Sequence, residues 1–518
     1  MRTSHYLPFL AAPLLAEASS ILFNGGTIVA FNRNKNALEV IRDGSLLIND
    51  DRIVSVSAGA PSASLLRKDT EVVDAKGKII TPGFIDTHKH GWQTSFKTLA
   101  SNTSLLEYFS RYGEFAAAGL LTAEDVYIGQ LAGIYEALHG GVTTILDHAH
   151  HAWSNQTAEA GLLASVDSGA RIFWAYAFHN IPSTPPYLVP EQLAHFRALA
   201  GNTTLLRSSP TSLGVAYDAW DPAASTATER QAVVALATSL NVSVVTTHTV
   251  LGPWGLTNTP SALLAAGILN TSIPVVLSHG SFLSPTDAQL LRTVNQYVSV
   301  TPESEFHYGH SNPTSHRFLD QAALGVDTHF TYSGDILSQA RLWLQTARLR
   351  LYEAVLERWE LPVNNPMSAT QAFLLATRNG GLALRREDLG VIAVGAKADV
   401  VVWDGDAPAL LGWNDPVAAV ILHASVGDVE SVVVDGKWRK RDFKIVVGDG
   451  KGKGGYEAVK KRFVESARRV QKKLIETKSP VPVKGDVWPY SGYLVGEAET
   501  VDVLRGEGTG YGTTFLKA

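Results

Sequence analysis

Between about residue 79 and residue 389 the chain repeats one pattern, a short apolar run ending in polar residues and then a stretch with helical periodicity. The apolar runs are 79–90, 143–150, 172–178, 213–218, 242–249, 275–280, 297–302 and 325–331. Helical stretches such as 122–139 separate most of them, and 339–360 follows the last. Each run with its helix reads as a βα unit. Eight such units predict an α/β fold of the TIM (β/α)8 class, with functional groups at the C-terminal ends of the strands. No short-period repeat competes with this reading.

Two β-rich pieces flank that middle. Ile21-Leu22-Phe23 precedes Asn24-Gly25-Gly26, and Ser45-Leu46-Leu47-Ile48 precedes Asn49-Asp50-Asp51. This is the texture of antiparallel strands with tight turns. It returns at 399–403, 417–421 and 431–437. Residues 451–518 read as a basic amphipathic helix near 454–477, its charges a solvated face, followed by an irregular tail.

Residues 1–18 read as a secretory signal, with Arg2, an apolar run of about ten residues and Ala16-Glu17-Ala18 as the cleavage site. Sequons at Asn102, Asn155, Asn202, Asn241 and Asn270 fit a secreted glycoprotein. Secretion is therefore expected, with a cytoplasmic location if the segment is not a signal. No stretch reaches the ~18 apolar residues of a membrane span, so no membrane partner is expected.

Composition removes several chemistries. The chain has no cysteine, which excludes disulfides, thiolate metal sites and a cysteine nucleophile. A net charge of −5 argues against nucleic acid as a partner. Lys97 is followed by no lysine until Lys397, and that span holds 14 arginines against 23 acidic residues.

The strand ends carry the candidate chemistry. The first run ends in His88-Lys89-His90, and residues i and i+2 of a strand point the same way. The fifth run ends in His248, the sixth in His279, and the eighth carries Asp327. Histidines and a carboxylate at one mouth suit zinc, or iron or another divalent ion. Asp335 is a rival for the carboxylate, but it opens a helix, where an N-cap is the simpler role.

The supporting segments are Ile80-Thr81-Pro82-Gly83-Phe84-Ile85-Asp86-Thr87-His88-Lys89-His90, Gly140-Gly141-Val142-Thr143-Thr144-Ile145-Leu146-Asp147-His148, Thr247-His248-Thr249, Ser278-His279-Gly280, Gly325-Val326-Asp327 and Gly395-Ala396-Lys397-Ala398-Asp399-Val400-Val401-Val402-Trp403. With these, over about residues 20–475, the chain resembles the amidohydrolase superfamily of metal-dependent hydrolases, in its cytosine-deaminase/chlorohydrolase-like branch. The resemblance implies a small β-sandwich from both chain ends, here 19–78 and 390–450, around a barrel at 79–389. It implies His88, His90, His248 and Asp327 as metal ligands. Asp327 would also take a proton from the activated water, and His279 would orient the scissile group. Binuclear relatives bridge two ions through a lysine on the fourth strand, or a Glu or Cys. This chain has none of these there, so one divalent ion per subunit is expected, zinc first and iron second.

One departure stands out. Deaminases of this branch carry a Glu three residues after the fifth-strand His, and here that place holds Leu251. Glu303, or alternatively Glu305, follows the seventh strand and is expected to supply the missing acid. Trp92, Gln93, His148, His150 and Trp254 are the expected substrate contacts. Asp147, His151, Phe178, His179, Tyr217, Trp220 and Phe306 also sit near strand ends, and so aromatic a rim favours a flat substrate. The expected function is hydrolysis of a non-peptide C–N bond (amide, lactam or amino-heterocycle) in a small cyclic or aromatic compound. A hydrolytic dehalogenase of the same fold and a non-catalytic small-molecule-binding barrel are the alternatives. A small molecule is the expected partner, and the resemblance leaves room for a homo-oligomer.

Overall fold

The computed structural model describes residues 20–183, 185–446 and 455–499 of the 518. The expected signal at 1–18 and the end of the tail lie outside them. Eight parallel strands pair in sequence order: β1 Phe84–Lys89, β2 Val142–Ala149, β3 Arg171–Phe178, β4 Ser212–Tyr217, β5 Val245–Val250, β6 Val275–Ser281, β7 Tyr297–Val300 and β8 Ala322–Leu324. The ring closes where the chain leaving β8 returns to β1. The His88 carbonyl accepts from the amides of Val326 at 3.1 Å and Asp327 at 2.7 Å, and the His90 amide donates to the Asp327 carbonyl at 3.3 Å. The expected barrel is therefore present.

Its strands are buried on both faces, which is why they read as near-continuous apolar runs rather than alternating ones. Ile85, Leu146, Phe173, Ala175, Val244 and Val276 fill the interior. Ile145, Trp174, Val215, Val245 and Leu277 pack outward under the helices. The helix Ala123–His139 starts where Thr122 and Asp125 form a reciprocal cap: the Thr122 hydroxyl accepts from the Asp125 amide at 3.2 Å, and the Asp125 carboxylate accepts from the Thr122 amide at 2.9 Å.

The flanking pieces join into one nine-stranded sheet with its own apolar core, including Ile21, Phe23, Ile28, Leu46, Ile80 and Val400. Ile79–Pro82 is the joint. It pairs parallel with Ser20–Asn32 and antiparallel with Val400–Trp403. This corrects one boundary: the expected strand 79–90 is two strands, and the barrel begins at Phe84 rather than at residue 79. The break falls at Gly83, where a Cβ would lie 2.0 Å from the Thr143 hydroxyl, so only glycine can pass between the layers. Arg171, at the start of β3, ties barrel to sheet. It donates to Asp399 at 2.7 and 3.0 Å and to Asp435 at 2.8 Å.

A second correction concerns the last strand. The eighth is Ala322–Leu324, and 325–331 forms the turn beyond it. Asp327 sits in that turn with φ of +68°, a conformation that Asp tolerates better than most residues.

The basic helix is observed at Gly455–Glu476. Most of its lysines and arginines face solvent, as expected, while Val459, Val470 and Leu474 are buried. It docks on helix Ala123–His139, where Arg462 pairs with Glu124 at 2.6 Å and Arg469 pairs with Asp125. Among the described residues, no helix is long and apolar enough to cross a membrane. All five sequon asparagines are exposed.

Candidate metal centre and active site

Strand order brings five expected residues to one point. His88 and His90 come at the end of β1, His248 is on β5, His279 is on β6, and Asp327 follows β8. Each imidazole is aimed through its Nδ1. His90 Nδ1 donates to the His148 carbonyl at 3.0 Å, and His248 Nδ1 donates to the Asp218 carboxylate at 2.8 Å. His88 Nδ1 hydrogen-bonds Ser278 Oγ at 2.8 Å, and His279 Nδ1 hydrogen-bonds Thr301 Oγ1 at 2.7 Å. This is the outer-shell arrangement that fixes tautomer and ring orientation in metal sites.

The donors that remain face one another. Asp327 Oδ1 lies 3.3 Å from His88 Nε2 and 3.1 Å from His90 Nε2. His90 Nε2 lies 3.3 Å from His248 Nε2. In the neutral imidazoles, with each proton held at Nδ1, these two Nε2 atoms are left with lone pairs that face each other. His88 Nε2 is buried with no hydrogen-bond partner. Spacings of this size match the edge of a tetrahedron, about 3.3–3.4 Å, around an ion with bonds of ~2.0–2.1 Å. His88, His90 and Asp327, with His248 adjoining through His90, therefore fit a divalent cation.

Electrostatics agrees with that assignment. Desolvation alone would raise the Asp327 carboxyl, but the imidazoles of His88 and His90 hold it well below the usual carboxylate range. Asp218 is likewise held well below that range, against desolvation, by His248 and His148. Burial alone would lower His248, yet the Asp218 carboxylate raises it to about 9. The same carboxylate would make the neutral His248 imidazole an electron-rich donor to a cation. Burial depresses His88 and His279 well below the ordinary imidazole value.

The expected substrate contacts divide. His150 stacks on His90 with ring centres 3.8 Å apart, and His148 lies 4.3 Å from the His248 ring. Trp254 is half-buried at the mouth. Trp92 and Gln93 are fully buried and are not free to touch a substrate. Trp92 Nε1 donates to His150 Nδ1 at 2.9 Å, and Gln93 Nε2 donates to the Tyr108 hydroxyl at 3.0 Å, so both hold up the wall. Tyr217 and Trp220 also turn away from the rim. Tyr217 donates to Glu229 of the helix Ala227–Ser239, and the two rings pack edge-on at 4.9 Å.

Glu303 is not brought to the cluster. Its Oε2 accepts from Gln339 Nε2 at 3.0 Å, and burial with Asp335 nearby raises it to about 7. Glu305 is the residue behind the site: its Oε1 accepts from the Thr301 amide at 2.9 Å and lies 3.9 Å from His279 Nδ1. The helix phase of 302–307 turns the two carboxylates apart. Asp335 caps its helix, accepting from the Ser338 amide at 2.7 Å.

Burial raises Glu305 to about 8, so it is a neutral acid at pH 7. An acid whose folded pKa is raised contributes stability that is full below its unfolded pKa and lost as pH rises through the folded value. The wild type should therefore lose stability relative to Glu305→Gln between about pH 4.5 and 8, with a limiting slope of ~1.4 kcal/mol per pH unit. Melting curves of both proteins across that range check this. Parallel curves would mean that Glu305 is ionised when folded.

Several functional residues come from the structure alone. Asp218 is just past β4, beside β5, and it holds the imidazole and, at 2.6 Å, the amide of His248, 30 residues on. Its strand-end position is the one signal the sequence carries. Ser278 and Thr301 orient His88 and His279, and Ser304 Oγ donates to Asp327 Oδ2 at 2.6 Å. A lone hydroxyl in a sequence carries no mark of such a role.

Fold and site together describe a barrel whose strand ends bring together donors that fit a divalent metal. The model of the amidohydrolase family matches residues 79–439, and the chain belongs to that family. It is 26% identical, over 431 residues, to the 5-methylthioadenosine/S-adenosylhomocysteine deaminase of Thermococcus kodakarensis, covering 81% of this chain and 93% of the relative. Among solved structures it is similar to a zinc-bound adenosine deaminase of Xanthomonas campestris. That match has a TM-score of 0.73 and 20% identity and covers 89% and 99% of the two chains. It is also similar to a zinc complex of the atrazine chlorohydrolase of Arthrobacter aurescens, with a TM-score of 0.70 and 18% identity, covering 87% and 100%. The protein is a metal-dependent hydrolase of non-peptide C–N bonds.

Proposed function

We propose that this protein is a deaminase-type hydrolase that exchanges the exocyclic amino group of a small amino-heterocycle for oxygen, with one divalent ion per subunit, zinc first and iron second. The observation that carries this is the convergence of His88, His90 and His248 Nε2 with Asp327 Oδ1, neighbouring donors being 3.1–3.3 Å apart. The relatives named for deamination of adenosine-type compounds support the amino-heterocycle. A divalent ion held there by His88, His90, His248 and Asp327 would supply an acidified water, its pKa towards ~7, and a Lewis acid for the electrophile.

The chain's own residues do the rest. Asp327 keeps Oδ1 at the cluster because Ser304 holds Oδ2. It is placed to accept the proton of the attacking water and return it to the leaving nitrogen. His279, fixed on Thr301, presents Nε2 to charge developing on the substrate. The centre opens on the β4–β5 side, where Asp218 and His248 are the accessible members while His88 and His90 are sealed.

Hydrolysis of a ring chloride is a second reading, favoured by Leu251. Chloride departs without a proton, so that chemistry needs one proton donor fewer than deamination, which must also protonate the leaving nitrogen. A panel of adenosine, methylthioadenosine, lactams and chlorinated heteroaromatics, offered to metal-loaded protein, tests both. Ammonia release matched by an amino-to-oxo mass change is the expected result. Chloride release without ammonia would establish the second reading. Protein that takes up neither zinc nor iron, yet still binds ligands, would leave a non-catalytic barrel.

A further inference from the structure

The barrel mouth carries a second cluster, one ring outward from the metal centre. Glu114 opens the four-residue helix Glu114–Ala117 in the long β1–β2 connection. Its Oε1 lies 3.2 Å from Nδ1 of His179, just past β3, and its Oε2 lies 3.9 Å from Nε2 of His150, just past β2. His150 is the ring stacked on His90. Among the described residues the ion-pair neighbours of Glu114 are these two imidazoles, with no lysine or arginine. Nearby Arg111 is turned to Glu107 at 2.6 Å, and the lysine gap of 98–396 supplies none.

Exposed aromatic rings stand on the same rim of the barrel mouth. Phe115 is 52% exposed, with its ring 5.6 Å from that of His179. Tyr490 is 61% exposed, and its ring lies 5.1 Å from that of Trp488. Tyr490 belongs to a hairpin closed by the Val487–Leu494 bridge, beyond the 79–439 segment that matches the family. Trp488 anchors that hairpin. Its ring stacks on Phe109 at 5.7 Å, and its Nε1 donates to the Trp254 carbonyl at 2.8 Å. Gly255 makes room for it: φ there is +71°, and a Cβ would meet the Tyr490 carbonyl at 2.7 Å. The hairpin is thus seated between the β1–β2 connection and the loop after β5.

A carboxylate on a rim with exposed aromatic rings, and with no lysine or arginine paired to it, is suited to an organic cation. The carboxylate contributes Coulomb attraction and the rings contribute their quadrupoles. We propose that Glu114, Phe115 and Tyr490 form an outer subsite that takes a cationic alkylammonium or amidinium substituent of the substrate. Calling that ligand a substrate rests on the hydrolase reading above, whereas the binding test does not.

The probes are benzyltrimethylammonium, which can neither ligate a metal nor donate a hydrogen bond, and benzyl alcohol, measured by calorimetry on the metal-loaded full chain. The wild type is expected to bind the cation at least about tenfold more tightly than the alcohol. Glu114→Gln should bring the two within about threefold, Tyr490→Ala should lose part of the preference, and Tyr490→Phe should keep it. Metal content should be unchanged in all three variants. Equal affinity for cation and alcohol in the wild type, or an undiminished preference in Glu114→Gln, overturns the subsite. Protein that hydrolyses nothing but keeps a Glu114-dependent preference retains the subsite and loses the hydrolase reading. Turnover without the preference does the reverse.

Discussion

Asp327→Asn is expected to lower kcat by about 10²–10⁴-fold, the usual contribution of a positioned general base. The fold should survive the change. The barrel closes through the backbone of residue 327, whose amide and carbonyl bond to His88 and His90, and an amide is isosteric with the carboxylate. What is lost is the charge facing His88 and His90 Nε2 and a site for the proton. Metal affinity should fall as well, so kcat is to be read at full metal occupancy, with bound metal measured on the same sample. An unchanged kcat at full occupancy would remove Asp327 from proton transfer. Asp335→Asn is the control, because that residue caps a helix and should leave kcat alone.

Asp218→Asn should weaken metal binding by about 10–100-fold, the usual effect of removing an outer-shell carboxylate. The cause is specific. Asp218 takes the Nδ1 proton of His248 at 2.8 Å and raises that imidazole's basicity against the effect of burial. The amide keeps the shape of the site but not the charge, so the ring stays in place while its Nε2 becomes a poorer donor. Competition against a chelator of known affinity reads this without any turnover assay. Undiminished affinity would reduce Asp218 to a purely structural partner of His248.

Much of this site can be read from strand ends. His88, His90, His248, His279 and Asp327 each lie at the end of an apolar run or a few residues beyond it, and barrel geometry carries such positions to one mouth. Asp327 could be distinguished from Asp335 because a polar residue opening a helical stretch has a local role as a cap. Glu303 failed as the acid because its helix phase points it at Gln339, and that phase depends on where the helix Pro302–His307 begins. Trp92 and Gln93 failed as contacts because the short helix Gly91–Phe96 buries both. The split at Gly83 was hidden because one continuous apolar run serves two sheets.

The sequence by itself determined the barrel and the two flanking β pieces and singled out the histidines and aspartate at the strand ends, since these rest on local periodicity and on chain order; which four of them would hold a metal came from the family resemblance. The tertiary structure alone decided which carboxylate supports His248, which glutamate stands behind His279, and which groups meet at the mouth. Asp218 reaches His248 because β4 and β5 are neighbours. Tyr490 comes to the rim that carries Glu114 because a hairpin hundreds of residues later is seated on Phe109 and Trp254 through Trp488. The physical reason is that such contacts are fixed by packing between loops, which have no period, so nothing in the spacing of either segment names the other.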